Sequence, residues 1–316
     1  AGSINVAAIG TSTFNSAVGV SISPVDLKFS AAGTVVLNSD LTGNVVTTGN
    51  NQGILTTTGV NQTITGNIGS STSLDLNTLN IGSDTVLGNY SKTTINGNVF
   101  ANSTVLNNNG TTNSSELILA SGKNITSTIT TTDANMGILT LAGGIQTVTG
   151  QVGNGNKLAE VNAGNGTSTF ANDVYATNLD VEGTGTVNLD GKFTGTAVRY
   201  NADGTVILAD TKNIDSSVTT TTNNTGTLSL EGSSTVTGQV GASGASLKEI
   251  NAGVAGTTST FNSNVYATNL NITGTGVDFN TVSGTTNTNI IFSDNGTVNL
   301  LNGLTGDINF AGKDAT

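Results

Sequence analysis

The sequence has no cysteine, histidine or tryptophan, and it has one proline and one methionine in 316 residues. Without cysteine, neither a disulfide framework nor a thiolate metal site can form. Without histidine as well, the chain cannot build a Ser-His-Asp or Cys-His catalytic arrangement. Zinc and other transition metals also lose their usual nitrogen and sulfur ligands.

Charged and aromatic residues are scarce too. Charged residues make up 9% of the chain, far below the usual quarter, and aromatic residues make up 4%. So few large apolar side chains cannot fill a wide two-layer core. The polar bulk is Thr, Asn, Ser and Gly, and abundant Val, Ile and Thr favour strands. Because disordered chains combine high net charge with few β-branched residues, the composition favours stacked strands and tight turns over disorder.

The net charge of −11 bears on partners. Nucleic-acid binding needs a basic face and docking on anionic lipid needs clustered Lys and Arg, so we expect neither partner. No apolar run approaches the ~18 residues of a membrane helix, so we expect no direct membrane insertion by this segment. Residues 1–5 lack the basic and apolar regions of a secretion signal, which favours a mature or excised segment of an exported protein.

Internal repetition is the strongest signal in the chain. Residues 137–185 and 226–276 carry the same blocks in the same order, at an offset that starts at 89 and ends at 91 residues. Both copies contain Val-Thr-Gly-Gln-Val-Gly followed by Val-Tyr-Ala-Thr-Asn-Leu. A weaker copy begins near residue 53. We place the long repeats at about 47–130, 131–219 and 220–316, and we interpret residues 1–316 as one elongated solenoid, a slice of a longer array.

Each long repeat divides into short strands. Gly-Thr-Val-Asn-Leu at 185–189 and Gly-Thr-Leu-Ser-Leu at 226–230 alternate apolar and polar residues with the period of a strand. Gly, Asn and Asp between these strands supply turn residues. Aromatic residues recur at equivalent positions, and we expect them to pack in the core or as caps at the same rung, with a ligand-stacking stripe as the alternative. These positions are Phe29, Tyr200 and Phe292, Phe170 and Phe261, and Tyr175 and Tyr266.

Three architectures fit such strands: a sandwich, a propeller and a solenoid. A sandwich does not explain a tandem repeat of this length, and propeller blades are usually shorter and rich in aromatic signatures. In a solenoid, each rung stacks on the next and interior aliphatic residues form ladders. We therefore predict an all-β, right-handed parallel β-helix with very little helix. Rungs of roughly 20 residues stacked at ~4.8 Å would give a rod on the order of 70 Å long.

The blocks at 226–241 and 247–253 resemble the passenger repeats of rickettsial surface-antigen autotransporters, the surface cell antigens of the outer-membrane protein A and B type. The resemblance is clearest from about 130 to 300. It implies a β-helical passenger exported through a carboxy-terminal outer-membrane barrel, displayed at the bacterial surface as a layer-like coat, and active in host-cell adhesion. The family offers no catalytic motif to transfer, and no barrel is recognisable in this sequence.

The residues that could carry chemistry are dispersed. The acids stand mostly alone at turns, and Arg199, the only arginine, suits a surface strand. Examples of the acids are Asp40, Asp84, Asp190 and Asp294. We predict no catalytic, cofactor-binding or metal-binding residue and no enzyme, although a β-helical polysaccharide lyase or hydrolase is the enzymatic alternative.

Calcium needs only oxygen ligands, but neither an EF-hand loop nor the Gly-Gly-x-Gly-x-Asp nonapeptide occurs. Asp203 and Asp294 precede equivalent Gly-Thr-Val blocks by one or two residues, and we interpret them as turn caps. We predict no cofactor, and isolated calcium at subunit contacts stays open.

Two functional classes follow. The leading hypothesis is a structural or adhesive bacterial surface protein, extracellular, forming part of a coat or stalk and associating with copies of itself laterally or end to end. The competing hypothesis is a local adhesin that binds a host protein or glycan, or a subunit of a surface layer or extracellular filament. Because insertions in solenoids map to binding loops, residues 71–130, which depart most from the repeat, are the candidate adhesive region.

Overall fold

The computed structural model describes residues 2–70, 73–83, 85–86, 88–108, 110 and 112–312. These residues form strands and turns, and none of them is helical. They group into two compact units, unit 1 at Ala1–Asn162 and unit 2 at Ala163–Thr316. Each unit is a parallel β-solenoid, and the two together contain about 14 turns. The predicted all-β parallel β-helix is confirmed, whereas its handedness stays a prediction.

Unit 1 contains three parallel strand stacks. Their orders are β1-β3-β5, β2-β4-β6-β8-β10-β12-β14 and β7-β9-β11-β13-β15. The strands are β1 Gly2–Val6, β2 Thr11–Phe14, β3 Val25–Phe29, β4 Thr34–Leu37, β5 Val45–Thr47, β6 Gln52–Thr57, β7 Gln62–Ile64, β8 Leu76–Ile81, β9 Lys92–Ile95, β10 Val99–Leu106, β11 Glu116–Leu119, β12 Ile125–Thr131, β13 Met136–Leu141, β14 Gly144–Val148 and β15 Leu158–Ala163.

Unit 2 contains two parallel stacks. Their orders are β16-β18-β20-β22-β24-β26-β28-β30, with β31 also on β28, and β17-β19-β21-β23-β25-β27-β29. The strands are β16 Gly166–Phe170, β17 Val174–Val181, β18 Thr186–Leu189, β19 Phe193–Tyr200, β20 Thr205–Leu208, β21 Asn213–Thr220, β22 Thr227–Leu230, β23 Ser234–Val236, β24 Leu247–Ala252, β25 Thr258–Phe261, β26 Val265–Ile272, β27 Val277–Thr281, β28 Thr286–Phe292, β29 Gly296–Leu300, β30 Leu304–Thr305 and β31 Ile308–Asn309.

Interior ladders explain why these strands stack. Inward apolar residues alternate with outward polar ones, and each inward residue pairs with its equivalent one rung away. In unit 1 one such ladder is Ile4, Leu27, Val45, Ile68, Val99, Ile125 and Val148. In unit 2 one is Phe170, Leu189, Leu208, Leu230, Ala252, Ile272 and Phe292. Differences between successive residue numbers are 18 to 31 in unit 1 and 19 to 22 in unit 2, so the spacing in unit 2 agrees with the predicted rung whereas the spacing in unit 1 extends well beyond it.

A ladder of side-chain bonds follows one corner of unit 1. Each member lies one residue before an inward residue of the aliphatic ladder, and its Oδ1 accepts the backbone N–H of the member one rung away. The ladder is Asp26, Asn44, Asn67, Asn98, Asn124 and the N–H of Thr147, with bonds of 2.7, 3.0, 2.8, 2.9 and 2.8 Å. Except for the amide of Thr147, which lies within β14, the donors lie between strands, and these bonds give them the partner that a turn outside the sheet would otherwise lack.

The aromatic positions divide into two groups. Phe29, Tyr200, Phe292, Phe170 and Phe261 are buried, as the repeat positions predicted. The ring centroids of Phe261 and Phe279 lie 4.9 Å apart in the core of unit 2.

Tyr175 and Tyr266 correct the prediction, because they are half-buried on the outer face instead of lying in the core. Each follows an inward valine, Val174 or Val265, and the two-residue period of a strand therefore points the tyrosine outward. The Lys192 ammonium lies 5.3 Å from the centroid of the Tyr175 ring.

Two of the buried aromatic rings lie directly against glycine. Gly53 and Gly226 have φ of 79° and 87°, a region that glycine adopts without strain. A Cβ on Gly53 would lie 2.3 Å from the Phe29 ring, and a Cβ on Gly226 would lie 2.4 Å from the Tyr200 ring. The Tyr200 hydroxyl donates a 2.6 Å hydrogen bond to the carbonyl of Thr227, and burial raises the pKa of this phenol well above its usual value. Close packing against glycine therefore fixes these rings in both units.

The described part of the chain contains no helix with the length and apolarity to span a membrane.

Candidate functional site: a walled groove on unit 1

A groove of about 810 Å³ lies on the outer face of unit 1. Its floor consists of outward side chains from four neighbouring strands, β2, β4, β6 and β8. Two cross-strand rows run along it, because parallel strands in register align equivalent side chains. The first row is Thr11, Thr34 and Ile54, and the second is Thr13, Val36, Thr56 and Asn80.

The wall of the groove comes from the loop between β8 and β9, residues 82–91. Within it, the Ser83 amide donates to Asn89 Oδ1 at 2.9 Å, and Ser83 Oγ accepts from the Val86 amide at 3.3 Å. Asn89 Nδ2 donates to the carbonyl of Thr58 at 3.2 Å and so attaches the loop to the end of β6. Asp84 and Leu87 lie outside the described residues. Local hydrogen bonds therefore hold this insertion against the sheet face.

A buried hydroxyl network holds the base of the loop. Ser91 Oγ donates to the Gly59 carbonyl at 2.8 Å and lies 2.9 Å from Thr93 Oγ1, which lies 2.8 Å from Thr57 Oγ1. The Ser91 amide donates to Ser115 Oγ at 3.1 Å. All four hydroxyl side chains are fully buried. A buried network whose members are all bonded is rigid, and this one fixes where the loop leaves the sheet.

The described residues of the groove lining offer hydrogen-bonding groups. None of the described residues that line it is charged, although the chain carries a net charge of −11. Threonine and serine hydroxyls and asparagine amides each offer both a donor and an acceptor. Val36, Ile54 and the 55% exposed Val86 add a small apolar strip among them. The described lining therefore combines hydrogen-bonding side chains with a small apolar area.

A smaller pocket of about 260 Å³ at a corner of unit 1 contains Asp75. Its neighbours include Asn102 and Ser127. Asp75 Oδ1 is buried and has no hydrogen-bond partner, and burial raises the pKa of this carboxyl above its usual range. The carboxylate is therefore held in a site that favours its protonated form.

Of the two predicted turn caps, Asp294 forms a local bond to its own turn, whereas Asp203 bonds to other rungs instead. Asp203 Oδ1 accepts the Gly226 amide at 3.1 Å, and its Oδ2 accepts the Lys248 ammonium at 2.7 Å. The Lys248 hydrogen bond, then the Gly226 amide, hold the pKa of Asp203 below its usual range, and the same ion pair raises the pKa of Lys248. Asp294 Oδ1 accepts the amide of Asn295 at 2.8 Å.

Other acids also bond to backbone groups or basic side chains. Asp40 Oδ1 accepts the Thr63 amide at 2.8 Å, whereas Asp190 is exposed. Arg199 lies on a surface strand, as expected, and forms a two-pronged ion pair with Asp180 on the adjacent strand. Asp180 is 2% exposed. The sequence interpretation missed this partner, although the separation of 19 residues equals one rung of unit 2 and could have shown it.

Within the described residues, no group of three or more His, Cys, Asp or Glu side chains is placed to hold a metal ion. Comparisons with protein-family models, with curated proteins and with solved structures found no match.

The candidate adhesive region contributes only part of the groove. The candidate adhesive segment 71–130 supplies β8 and the wall loop of the groove, but β2, β4 and β6 supply most of the floor. The floor residues were not predicted from the sequence, because their alternation of polar and apolar residues is equally typical of an ordinary solvent-exposed strand face. The number of residues per rung was the usable signal, since the step from Ile64 to Ile95 is 31 residues and the next, to Leu119, is 24.

Proposed function

We propose that this chain is a structural and adhesive protein of a bacterial cell surface, and that the walled groove of unit 1 is its local contact site. The observation that carries the proposal is the groove itself, where an insertion in the repeat stands beside a sheet face lined with hydroxyl and amide groups. Solenoids commonly use extended faces for binding, and their inserted loops gather on one face.

The outer face of unit 2 supports the scaffold part of this proposal. Thr167, Thr186, Thr205 and Thr227 align across four neighbouring strands. In the adjacent row, asparagine amides bond from strand to strand, as from Asn271 Nδ2 to Asn251 Oδ1 at 2.8 Å. Stacked polar rows give a large, soluble surface suited to display. The resemblance of 226–241 to rickettsial passenger repeats supports the same location and role.

Surface location is tested on the intact producing bacterium. Brief protease treatment of whole cells should remove the protein from immunoblots, while a cytoplasmic control protein stays intact. A protein that is cleaved only after cell lysis would contradict an extracellular location.

Adhesion is tested with beads coated with the purified 316-residue chain. Coated beads should attach to cultured animal cells, and replacement of residues 83–89 by a short glycine linker should reduce attachment several-fold. Circular dichroism of the variant would check that the strands persist. Attachment equal to that of albumin-coated beads would contradict the adhesive role. Attachment that is unchanged in the loop variant would show that the contact site lies outside the groove.

A further inference from the structure

The loop between β14 and β15 of unit 1, residues 149–157, ends in an exposed turn at Asn154 and Gly155. The Asn156 amide donates to the Asn154 carbonyl at 2.5 Å, and this bond closes a γ-turn around Gly155. Gly155 has a φ of 65°, a conformation that glycine adopts without strain. The tip of this loop is therefore a defined turn, although it lies outside the strands.

One side of this turn is anchored and the other side is not. Asn156 Nδ2 donates to the carbonyls of Thr131 and Thr132 at 3.3 and 2.8 Å, and these bonds hold the loop at the end of β12. The exposed Asn154 side chain and the Gly155 amide form no hydrogen bond with any described residue. An asparagine side chain and the backbone nitrogen that follows it can react with each other, because the chain itself holds the two groups together.

The dipeptide Asn-Gly occurs at five other places in the sequence, at 96–97, 109–110, 165–166, 295–296 and 302–303. The pair at 165–166 is a close match, because glycine precedes it just as Gly153 precedes Asn154. Gly166, however, is the first residue of β16, and the pairing of β16 with β18 restricts the backbone rotation that such a reaction requires. The same local sequence therefore lies in a free turn at one place and in a sheet at the other.

Each of the other pairs lacks one feature of the turn. Gly97 is buried, and a Cβ on it would lie 2.3 Å from a carbonyl oxygen of the preceding rung. Gly296 is the first residue of β29, and Asn302 Nδ2 donates to a carbonyl of the preceding rung at 2.9 Å. Asn109 lies outside the described residues. Among the pairs that the structure describes in full, 154–155 alone combines an unbonded side chain with an exposed glycine outside a strand.

We infer that Asn154 is a self-modification site, at which the folded chain converts this asparagine into isoaspartate and aspartate. The Gly155 nitrogen loses its proton to hydroxide and attacks Cγ of Asn154. The new C–N bond closes a succinimide ring, and the side-chain nitrogen leaves as ammonia. Water then adds to one of the two ring carbonyls and breaks the C–N bond of that carbonyl. The reaction therefore needs nothing from outside the chain except water and its hydroxide.

The modification changes the charge and the backbone of the turn. Both products carry a carboxylate in place of a neutral amide, which adds negative charge to an already acidic chain. In isoaspartate the main chain runs through the former side chain, so residues 154 and 155 are separated by an additional carbon and the γ-turn is lost. Because the turn lies outside the strands, the solenoid persists. The product therefore marks the age of each molecule, and this role does not rest on the surface function proposed above.

The test incubates the folded full chain in mildly alkaline buffer made with heavy-oxygen water, followed by tryptic digestion in ordinary water and mass spectrometry. Cleavage after Lys123 and Lys157 isolates Asn154 in a peptide without another Asn-Gly pair. The product should contain one heavy oxygen and should be a substrate of a protein-isoaspartate methyltransferase. Asn154 should react about fivefold faster than Asn165 or more, because opening a backbone bond of the sheet at Asn165 costs about 1 kcal/mol. In urea, where turn and sheet are both lost, the two rates should be similar.

Two glycine variants separate the chemistry from a general effect on stability. Gly155→Ala should slow the reaction of Asn154 by about tenfold or more, because the added methyl group hinders ring closure. Nothing lies within 4 Å of this Cβ, so the variant should fold. Gly122→Ala is the matched control in unit 1, since Gly122 has a φ of 70° and its added Cβ also meets nothing within 4 Å. It should leave the rate at Asn154 unchanged.

Three results would overturn the inference. The first is an equal rate at Asn154 and Asn165 in the folded chain. The second is the same ratio of rates in urea as in the folded chain, which would assign the preference to local sequence instead of the turn. The third is a reaction of Asn154 that Gly155→Ala does not slow, or a product without heavy oxygen and isoaspartate, since either would exclude the succinimide.

Discussion

The two units build the same kind of solenoid with different regularity. In unit 1 the spacing along one interior ladder varies from 18 to 31 residues, whereas in unit 2 it varies from 19 to 22. Unit 1 has the continuous corner ladder from Asp26 to Thr147, and it has the buried hydroxyl network around Ser91. Unit 2 has bonds of the same kind, from the Lys192 amide to Asp173 Oδ1 and from the Thr235 amide to Asn213 Oδ1, but they do not form a continuous ladder. The comparison therefore associates the continuous ladder with the unit whose rungs vary most in length.

The comparison also shows what the units share. Both place a positive-φ glycine beneath a buried aromatic ring, Gly53 under Phe29 and Gly226 under Tyr200. Alanine substitution of this glycine should therefore destabilise both units to a similar extent. Loss of a side-chain bond of the corner-ladder kind should destabilise unit 1 more than unit 2.

The largest effect is expected at the shared feature. Gly226→Ala and Gly53→Ala should each lower the free energy of unfolding by about 3 kcal/mol or more, because strain at positive φ adds to collision with a ring. Gly244→Ala is the control, since its φ is 81° and nothing lies within 4 Å of the added Cβ. It should cost about 1 kcal/mol. Urea unfolding followed by circular dichroism measures all three, and equal costs would show that the ring contacts contribute nothing.

A smaller effect should separate the units. Asn67→Ala removes the acceptor for the Asn98 amide inside the corner ladder of unit 1, and it should cost about 1–2 kcal/mol. Asn213→Ala in unit 2 removes a 3.2 Å bond from the Thr235 amide and should cost about 0.5–1 kcal/mol. Both asparagines are exposed, so lost packing affects them similarly. The same urea experiment applies, and a greater cost at Asn213 would refute the special role of the ladder.

The smallest expected effects concern the pH dependence of stability, and they should have opposite signs in the two units. The pKa of Asp75 is raised by burial, so its contribution to stability is full at low pH and is lost as pH rises through the folded-state pKa. The pKa of Asp203 is lowered, chiefly by Lys248, so its contribution is present above the unfolded-state pKa and is lost as pH falls through the folded-state pKa.

Asp75→Asn should therefore raise the thermal midpoint at pH 7 and lose that advantage near pH 3. Asp203→Asn should lower the midpoint at pH 7, by less at high salt because the pair is exposed. Thermal scans at both pH values measure the two variants. Shifts of the same sign at pH 7 would contradict the assigned environments.

The sequence predicted the features that depend on local pattern. Period-two alternation identified inward residues such as Val187 and Leu228, and repeat position identified buried rings such as Phe170. The same alternation, applied one residue further, would have placed Tyr175 outside. Equivalent positions in the repeat place Tyr175 and Tyr266 on the same face but do not distinguish the inner face from the outer one.

The features that the sequence did not predict all join different rungs. The Ser91–Ser115 bond, the corner ladder and the groove floor connect residues about 18 to 31 positions apart. Such partners can be assigned only when the length of each rung is known, and in unit 1 that length changes at almost every turn. The Asp180–Arg199 pair lies in the regular unit 2, where a fixed spacing makes partners easier to infer.

The corner ladder has a consequence for how such a chain can change over generations. Because every asparagine captures the following coil immediately before an inward aliphatic residue, the stretch between two captures is free to lengthen or shorten without shifting its neighbours. Segments between two ladder bonds can therefore be replaced by segments of another length while the ladder itself is retained. A lineage can thus remodel what it shows to its surroundings while the frame beneath stays the same.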